Sequence, residues 1–326
     1  VIQGRLGSVR HPRKVLENLD GRPALELLIT RLLRAATVDE VVLAVPDGEA
    51  DDELARFAAR IGIRCVRGSE YDVLARYHAA AVEAEADVVV RITGDCPLVD
   101  PAVVDQIVAP VRDGASDWSA TGGTFPDGLD VQVATMLALS SAVQHASEAA
   151  HREHVFPWIL SAHDLHGVVI EHDVDLGSMR VTLDEQPDLE VLRAVLAAVP
   201  EERIDLAELG RLWIDRPDLF EANRHLVRNE GAVLGIGQKL WRHALERIPG
   251  GSMLLSKRAE MILPGTWPAY FDRASGCEVW DLDGKRYIDV GLMGVGTNIL
   301  GYAPPRVDEA VRRVVEKGAL STLNAP

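Results

Sequence analysis

Asp87-Val-Val-Val-Arg-Ile-Thr-Gly-Asp-Cys-Pro97 is the stretch on which the fold turns. Its first six residues make a short, β-branched run suited to a strand buried on both faces. Working outward, Glu40-Val-Val-Leu-Ala-Val45 has the same character, and Val1-Ile2-Gln3 reads as the tail of a first strand. With no Met at position 1, the chain is expected to be trimmed at its start. Ala24–Ala36, Asp51–Ile61 and Tyr71–Ala84 carry apolar residues three and four apart, the spacing of helices with one buried side. Strands alternating with helices imply an α/β fold with a mostly parallel sheet and ligands at the carboxyl ends of its strands.

Composition narrows the function classes. The chain has 326 residues, with 34 Lys plus Arg against 50 Asp plus Glu, a net charge of −16. An acidic excess argues against nucleic-acid and anionic-membrane partners, both of which demand a cationic face. No apolar run approaches the ~20 residues of a membrane span, and no signal peptide opens the chain. Cys65, Cys96 and Cys277 are too scattered for a disulfide framework or zinc motif, so a cytoplasmic location is expected. Residues 1–239 hold 23 cationic and 40 acidic side chains, whereas residues 240–326 hold 11 and 10. That shift predicts a domain over 1–228, a linker over 229–240 and a small α+β segment over 241–326. One stretch runs against its surroundings: residues 1–14 carry Arg5, Arg10, Arg13 and Lys14 and no acid.

Further elements follow from local signals. Phe125-Pro-Asp-Gly128 predicts a turn before a strand at Leu129–Val133, then helices over Ala134–Gln144 and Ala149–Leu160. Strands are expected at Gly167–Asp173 and Arg180–Leu183, with helices onward to about Arg228. Past Gly237 the pattern predicts a helix near Gln238–Glu246, a β-ribbon turning at Ala274–Gly276 and Asp283-Gly284, and a helix over Pro304–Lys317. Trp267, Tyr270, Trp280 and Tyr287 are expected to be exposed there.

Three segments carry candidate chemistry. Gln3-Gly-Arg-Leu-Gly-Ser-Val-Arg10-His-Pro-Arg-Lys14 directly follows the first strand. The Gly7 and Ser8 amides can form an anion nest, with Arg5, Arg10 and Lys14 supplying charge for a polyphosphate. The same residues also describe a basic solvated loop with a turn glycine. Asp95, at a strand's carboxyl end, suits Mg²⁺, which needs only one or two carboxylates beside phosphate oxygens. Taken alone it equally reads as a loop Asp capping a helix. Asp184, in Arg180-Val-Thr-Leu-Asp-Glu-Gln-Pro-Asp188, is a second such acid, or else Asp184 or Asp188 is the N-cap of the next helix. The run Asp47–Glu53 reads as an acidic solvated turn, and Cys96 as a filler.

Together with Arg67-Gly-Ser-Glu-Tyr-Asp72-Val-Leu-Ala-Arg76-Tyr77, Phe125–Val131 and Arg152-Glu-His154, these segments resemble the cytidylyltransferase family of CMP-sugar synthetases. The acylneuraminate and deoxyoctulosonate enzymes belong to it, and the SpsF-type branch looks nearest. The resemblance covers residues 1–228 and implies a Rossmann-like nucleotidyltransferase domain that moves CMP from CTP to an acidic, nonulosonate-like sugar for surface polysaccharide or glycoconjugate synthesis. It implies Arg5, Lys14 and Asp95 as catalytic, with Asp95 and Asp184 holding Mg²⁺. Gly7, Ser8, Arg10, Lys14, Arg67, Gly68, Ser69, Asp72, Arg76, Arg91 and Gly94 would face the nucleotide. Asp127, Asp130, Arg152, Glu153 and His154 would line the acceptor. A homodimer is expected. Two positions depart from the pattern: Gly4 stands where Ala is usual, and Arg13 where this branch more often has Gly.

Residues 238–324 resemble something else, the N-terminal part of class III aminotransferases of the glutamate-1-semialdehyde aminomutase type. Gly250-Gly-Ser-Met253, Trp280–Asp289 and Gly294–Gly301 carry that likeness. It implies pyridoxal phosphate, and aminotransferase activity, only if a full-length domain is present, because no Lys here matches the Schiff-base position. Two other readings of the whole chain stay open: a nucleotide-sugar-dependent glycosyltransferase, and a non-catalytic nucleotide-binding or assembly module.

Overall fold

Seven short strands build the main sheet of the computed structural model, which describes residues 1–8, 11–226, 236–263, 267–291, 296 and 298–318. In chain order the strands are β1 (Ile2–Gln3), β2 (Asn18–Leu19), β3 (Arg22–Pro23), β4 (Val42–Pro46), β5 (Arg64–Gly68), β6 (Val88–Thr93), β7 (Trp118–Thr121), β8 (Gln132–Thr135) and β9 (Gly167–Ile170). β2 and β3 form a separate hairpin, and the others lie in the order β5-β4-β1-β6-β8-β7-β9. Pairing is parallel from β5 to β6 and between β7 and β9, and antiparallel on both sides of β8.

Helices cover both faces of the sheet. α1 (Ala24–Leu32), α2 (Asp52–Ile61), α4 (Pro101–Arg112), α8 (Gln186–Ala198) and α9 (Leu206–Asp215) share one core with Leu43, Val45 and Ile92. α3 (Val73–Glu83), α5 (Met136–His145) and α7 (Pro157–Ser161) pack with Val89 on the other, and α6 (Ala149–His154) lies against α3. The alternation along β6 sends Ile92 and Val89 to opposite cores, as a period of two requires. Helix starts follow local chemistry: Asp72 caps α3 and Asp100 caps α4.

The chain divides into two compact units, Val1–Arg228 and Asn229–Pro326. In the second, a helix spans Ile236–Arg247, and its first turn takes in residues 236–240, which the charge shift assigned to a linker. A three-stranded antiparallel ribbon follows, β10 (Phe271–Ser275), β11 (Glu278–Asp281) and β12 (Arg286–Ile288), then a helix over Pro305–Val315. Among its four aromatics expected to be exposed, only Trp267 is. Arg273 covers the Trp280 ring at 4.2 Å, Lys285 lies over Tyr287, and Tyr270 sits beside Trp241.

Several expected elements need correction. Arg180–Leu183 is no strand; the segment forms a single isolated β-bridge, Asp127 to Arg180, with further backbone bonds to Asp127 and Asp95. The strand expected at Leu129–Val133 lies at Gln132–Thr135. The single helix expected over Ala149–Leu160 is two, because Val155 takes φ 69° and ψ −57°. There Phe156 N donates to His154 O, a γ-turn that no helix can pass through. Among the described residues no helix is long and apolar enough to cross a membrane.

Candidate functional site

The carboxyl ends of β1 and β6 lie side by side, and the two basic-acidic motifs leave from them. Gly94 N donates to Gln3 O, and a Cβ on Gly94 would lie 2.6 Å from that same oxygen. Glycine is therefore required for this approach, whatever else Gly94 touches. The loop after β1 is pinned from outside: Leu6 N donates to Asp51 Oδ1 at 2.7 Å, and Arg13 pairs with Glu53. The Asp47–Glu53 run is thus no mere solvated turn. Asp51 is buried, and Asp52 accepts from Arg67. Arg10 lies outside the described residues.

At the centre, Lys14 Nζ donates to Asp95 Oδ2 at 2.6 Å and Asp184 Oδ1 at 2.5 Å. Backbone pairing brings these acids together. Leu183 N and Thr182 Oγ1 both donate to the Asp95 carbonyl, which sets Asp184 beside Asp95. Burial opposes charge on Asp95, yet the adjacent Lys14 ammonium prevails and holds its carboxyl well below the usual carboxylate range. Burial likewise disfavours the Lys14 ammonium, and the two carboxylates more than reverse that, raising its pKa. Asp95 caps no helix. Asp100 does that, accepting from Ala102 N.

Behind Asp184 stands a buried network. Arg180 Nη1 reaches Asp127 Oδ2 at 2.6 Å, its Nε reaches Asp188 Oδ1 at 2.8 Å, and its Nη2 lies 3.5 Å from Asp184 Oδ2. Asp188 also accepts from Asn223 Nδ2 and from the amides of Asp184 and Glu185. Desolvation works against charge on Asp188, but its hydrogen bonds from Arg180 keep its carboxyl low. Glu185 occupies the N-cap of α8 and Asp188 the third position of its capping box, so neither Asp184 nor Asp188 is the N-cap.

The remaining expected site residues sit apart from this centre or spend their groups on structure. Asp127 pairs with Arg180, and Asp130 Oδ2 accepts from Gly128 N. Arg152 donates to Asp72 and to the carbonyls of Val143 and Ala146, while exposed Glu153 and half-buried His154 close the same helix. Ser69 Oγ accepts from the amides of Tyr71 and Asp72, Arg76 Nη1 donates to Ser69 O, and Gly68 packs on the Arg76 stem. Arg67 holds the 46–52 loop through Pro46 O, Gly48 O and Asp52. Exposed Arg5 lies 4.0 Å from Glu70, and Ser8 Oγ accepts from His11 N. A Cβ on Gly7 would meet no protein atom within 4 Å. Burial raises the Cys96 thiol pKa, in keeping with a filler. Among the described residues no group of three or more His, Cys, Asp or Glu converges as a metal cage. The structural parts played by Arg180, Asp188, Asn223 and Asp51 escaped sequence reasoning. Only the acid spacing of Asp184-Glu-Gln-Pro-Asp188 hinted at a shared task.

A family model described as Cytidylyltransferase matches residues 1–207. Spore coat polysaccharide biosynthesis protein SpsF of Bacillus subtilis (strain 168) is 32% identical over 228 residues, 67% of this chain and 94% of that protein. An uncharacterized protein of Methanocaldococcus jannaschii is 36% identical over 159 residues, and this chain spans 65% of its length. The 3-deoxy-manno-octulosonate cytidylyltransferase of Pelobacter propionicus is 33% identical over 121 residues, 37% of this chain and 47% of that enzyme. Among solved structures, a cytidylyltransferase from Leptospira borgpetersenii serovar Hardjo-bovis superposes with a TM-score of 0.64 at 25% identity. That likeness covers 68% of this chain and 94% of the other, and the shared architecture is the Rossmann-like nucleotidyltransferase fold. The chain belongs to the cytidylyltransferase family.

Proposed function

We propose that residues 1–228 transfer CMP from CTP to a hydroxyl of an acidic, nonulosonate-like sugar, releasing pyrophosphate for surface polysaccharide or glycoconjugate synthesis. The observation that carries this reading is the convergence of Lys14, Asp95 and Asp184 where β1 and β6 end. The name of the octulosonate enzyme supports the acceptor class, and that of SpsF the polysaccharide setting.

The donor set fits Mg²⁺: two hard carboxylates lie close enough to share one ammonium, and triphosphate oxygens would complete the shell. Bound between Asp95 and Asp184, Mg²⁺ would supply charge neutralisation on the phosphates. Lys14 is the mobile partner, since its long stem lets the ammonium turn from the carboxylates to the leaving pyrophosphate. Arg5 adds exposed positive charge on the same loop. Asp188 holds the Asp184 amide and Arg180 its carboxylate, so Asp184 stays in place while Lys14 moves. The acceptor proton has no assigned base among these residues. CTP and the sugar acid are the proposed partners, with the chain acting as a homodimer in the cytoplasm.

Pyridoxal phosphate would need a full-length domain, since none of Lys257, Lys285 and Lys317 matches the Schiff-base position and Lys285 is exposed over Tyr287. The aminotransferase reading of residues 241–326 rests on sequence segments, and the comparisons lend it no support.

Pyrophosphate release from CTP with a panel of sugar acids tests the proposal directly. Asp95→Asn is expected to abolish release while the circular dichroism spectrum stays native. Near-normal turnover in that variant sinks the assignment. Release of free nucleotide from a CMP-sugar in place of pyrophosphate from CTP would indicate a glycosyltransferase instead.

A further inference from the structure

Half-buried Arg91 and buried Arg76 stand apart from the other arginines held inside the first unit, which face carboxylates. Arg31 faces Glu201, Arg180 faces Asp127 and Asp188, and Arg152 faces Asp72. Arg91 instead donates to two neutral side chains, Gln132 Oε1 at 2.7 Å and Gln3 Oε1 at 3.3 Å. Its Nε is buried with no hydrogen-bond partner, and among the described residues no carboxylate comes within ion-pair distance. Enclosing a guanidinium without an anion is costly, and neutral amide oxygens only partly compensate it. Two amides aimed at one cation fix its orientation without cancelling its charge.

The sheet places this group close to the reacting centre. Arg91 stands on β6 directly opposite Gln132 of β8, and Gln3 of β1 pairs with Thr93 on the other side. Gln3 opens the Lys14 loop and its carbonyl receives the Gly94 amide, one residue from Asp95. The guanidinium also lies 6.0 Å from the Tyr77 ring centroid, on the sheet face covered by α3 and α5. Within the first unit Arg76 is the other described guanidinium with an unpartnered buried Nε, but it is fully enclosed and committed to Ser69 O beside Gly68.

We propose that Arg91, held by Gln3 and Gln132, binds the carboxylate of the acceptor sugar and so selects acidic acceptors. The assignment rests on the proposed CMP transfer. It moves Arg91 from the nucleotide, where the family resemblance put it, to the second substrate. A carboxylate accepting from the terminal nitrogens of this half-buried side chain would supply the charge that the two amides leave uncancelled.

The test compares the wild type with Arg91→Gln and Arg91→Lys. Acceptors are 3-deoxy-manno-octulosonate and N-acetylneuraminate, each alongside its C1 carboxamide, with CTP affinity measured separately by titration calorimetry. The expected result for Arg91→Gln is a ten- to hundredfold rise in acceptor KM, a CTP affinity within twofold of wild type, and loss of the preference for acid over carboxamide. Arg91→Lys should restore part of that preference. A fall in CTP affinity matching the change in acceptor KM overturns the assignment in favour of a nucleotide contact. So does an undiminished acid preference in Arg91→Gln, and in both cases CMP transfer itself still stands. Wild-type protein that releases pyrophosphate with neither acid overturns the function and this assignment together.

Discussion

Lys14 Nζ and Asp184 Oδ1 lie 2.5 Å apart although 170 positions separate them in the chain, and Asp95 closes the same ammonium from the other side. Removing the cation leaves two half-enclosed carboxylates facing each other. Lys14→Gln is expected to cost about 3 kcal/mol, the low end for breaking an enclosed ion pair. Excess Mg²⁺ should then raise the melting temperature of the variant more than that of the wild type, because the ion replaces the missing charge. Equal shifts in thermal unfolding scans would remove the argument for a cation site between these acids. The pair also fixes a pH window. The raised Lys14 pKa contributes stability below about pH 10.4, lost as pH rises through its folded value, and the lowered Asp95 pKa contributes above about pH 3.9, lost on acidification.

Glu201 offers a sharper acid test. It is buried, and its carboxylate takes Arg31, Arg34 and Arg22. Burial would raise its pKa, but the hydrogen bonds from Arg34 and Arg31 win and lower it to about 2. A depressed carboxyl pKa stabilises the fold above its unfolded value, about 4.3, and that contribution fades as pH falls toward 2. Glu201→Gln should therefore lose about 3 kcal/mol at neutral pH and show a much flatter acid limb. Urea titrations at neutral pH and near pH 3 decide it. A penalty of the same size at both values would contradict the linkage.

Each of the two departures from the family pattern carries a backbone prediction. A Cβ on Gly4 would meet Leu43 Cδ1 at 3.5 Å and Leu54 Cδ1 at 3.7 Å, ordinary contact, so Gly4→Ala should stabilise by about 0.5–1 kcal/mol. Arg13 takes φ 64°, a left-handed conformation that explains why glycine is the usual residue there. Arg13→Gly relieves that strain and gives up one exposed ion pair with Glu53, worth little in water. Its expected effect is a gain of up to about 1 kcal/mol. A loss larger than that in urea unfolding would mean the ion pair outweighs the strain.

What the sequence disclosed followed from local pattern. The β-branched runs at 40–45 and 87–92 and the apolar spacing of α2 and α3 were legible because burial on one or two faces writes itself into neighbouring residues. Strands β5 and β7 were not, since Arg64-Cys-Val-Arg-Gly68 and Trp118-Ser-Ala-Thr121 mix polar groups into short edge-side segments. At the site, Lys14, Asp95 and Asp184 could be named from their motifs, whereas their contact depends on Leu183 pairing with the Asp95 carbonyl across the fold. Arg67, Asp72 and Arg152 were assigned to ligands by resemblance. In the structure their partners are Asp52, the start of α3, and each other, and such contacts over long sequence separations leave no local trace.

Asp188 is the position where the buried network should prove least tolerant. Its side chain is 0% exposed and accepts two bonds from Arg180, one from Asn223, and one from each of the Asp184 and Glu185 amides. Asp188→Asn keeps the shape but turns an amide nitrogen toward these donors and strips Arg180 of its closest charge. The expected loss is about 3–5 kcal/mol, as for a buried pair deprived of one partner. Asn223→Ala removes a single neutral donor, leaves the Arg180 pair intact, and should cost only about 1–2 kcal/mol. Denaturant unfolding of the two variants ranks them. If Asn223→Ala proved the more damaging, the stability of this corner would lie in α8 packing and the segment after α9, with the Arg180–Asp188 charge pair secondary.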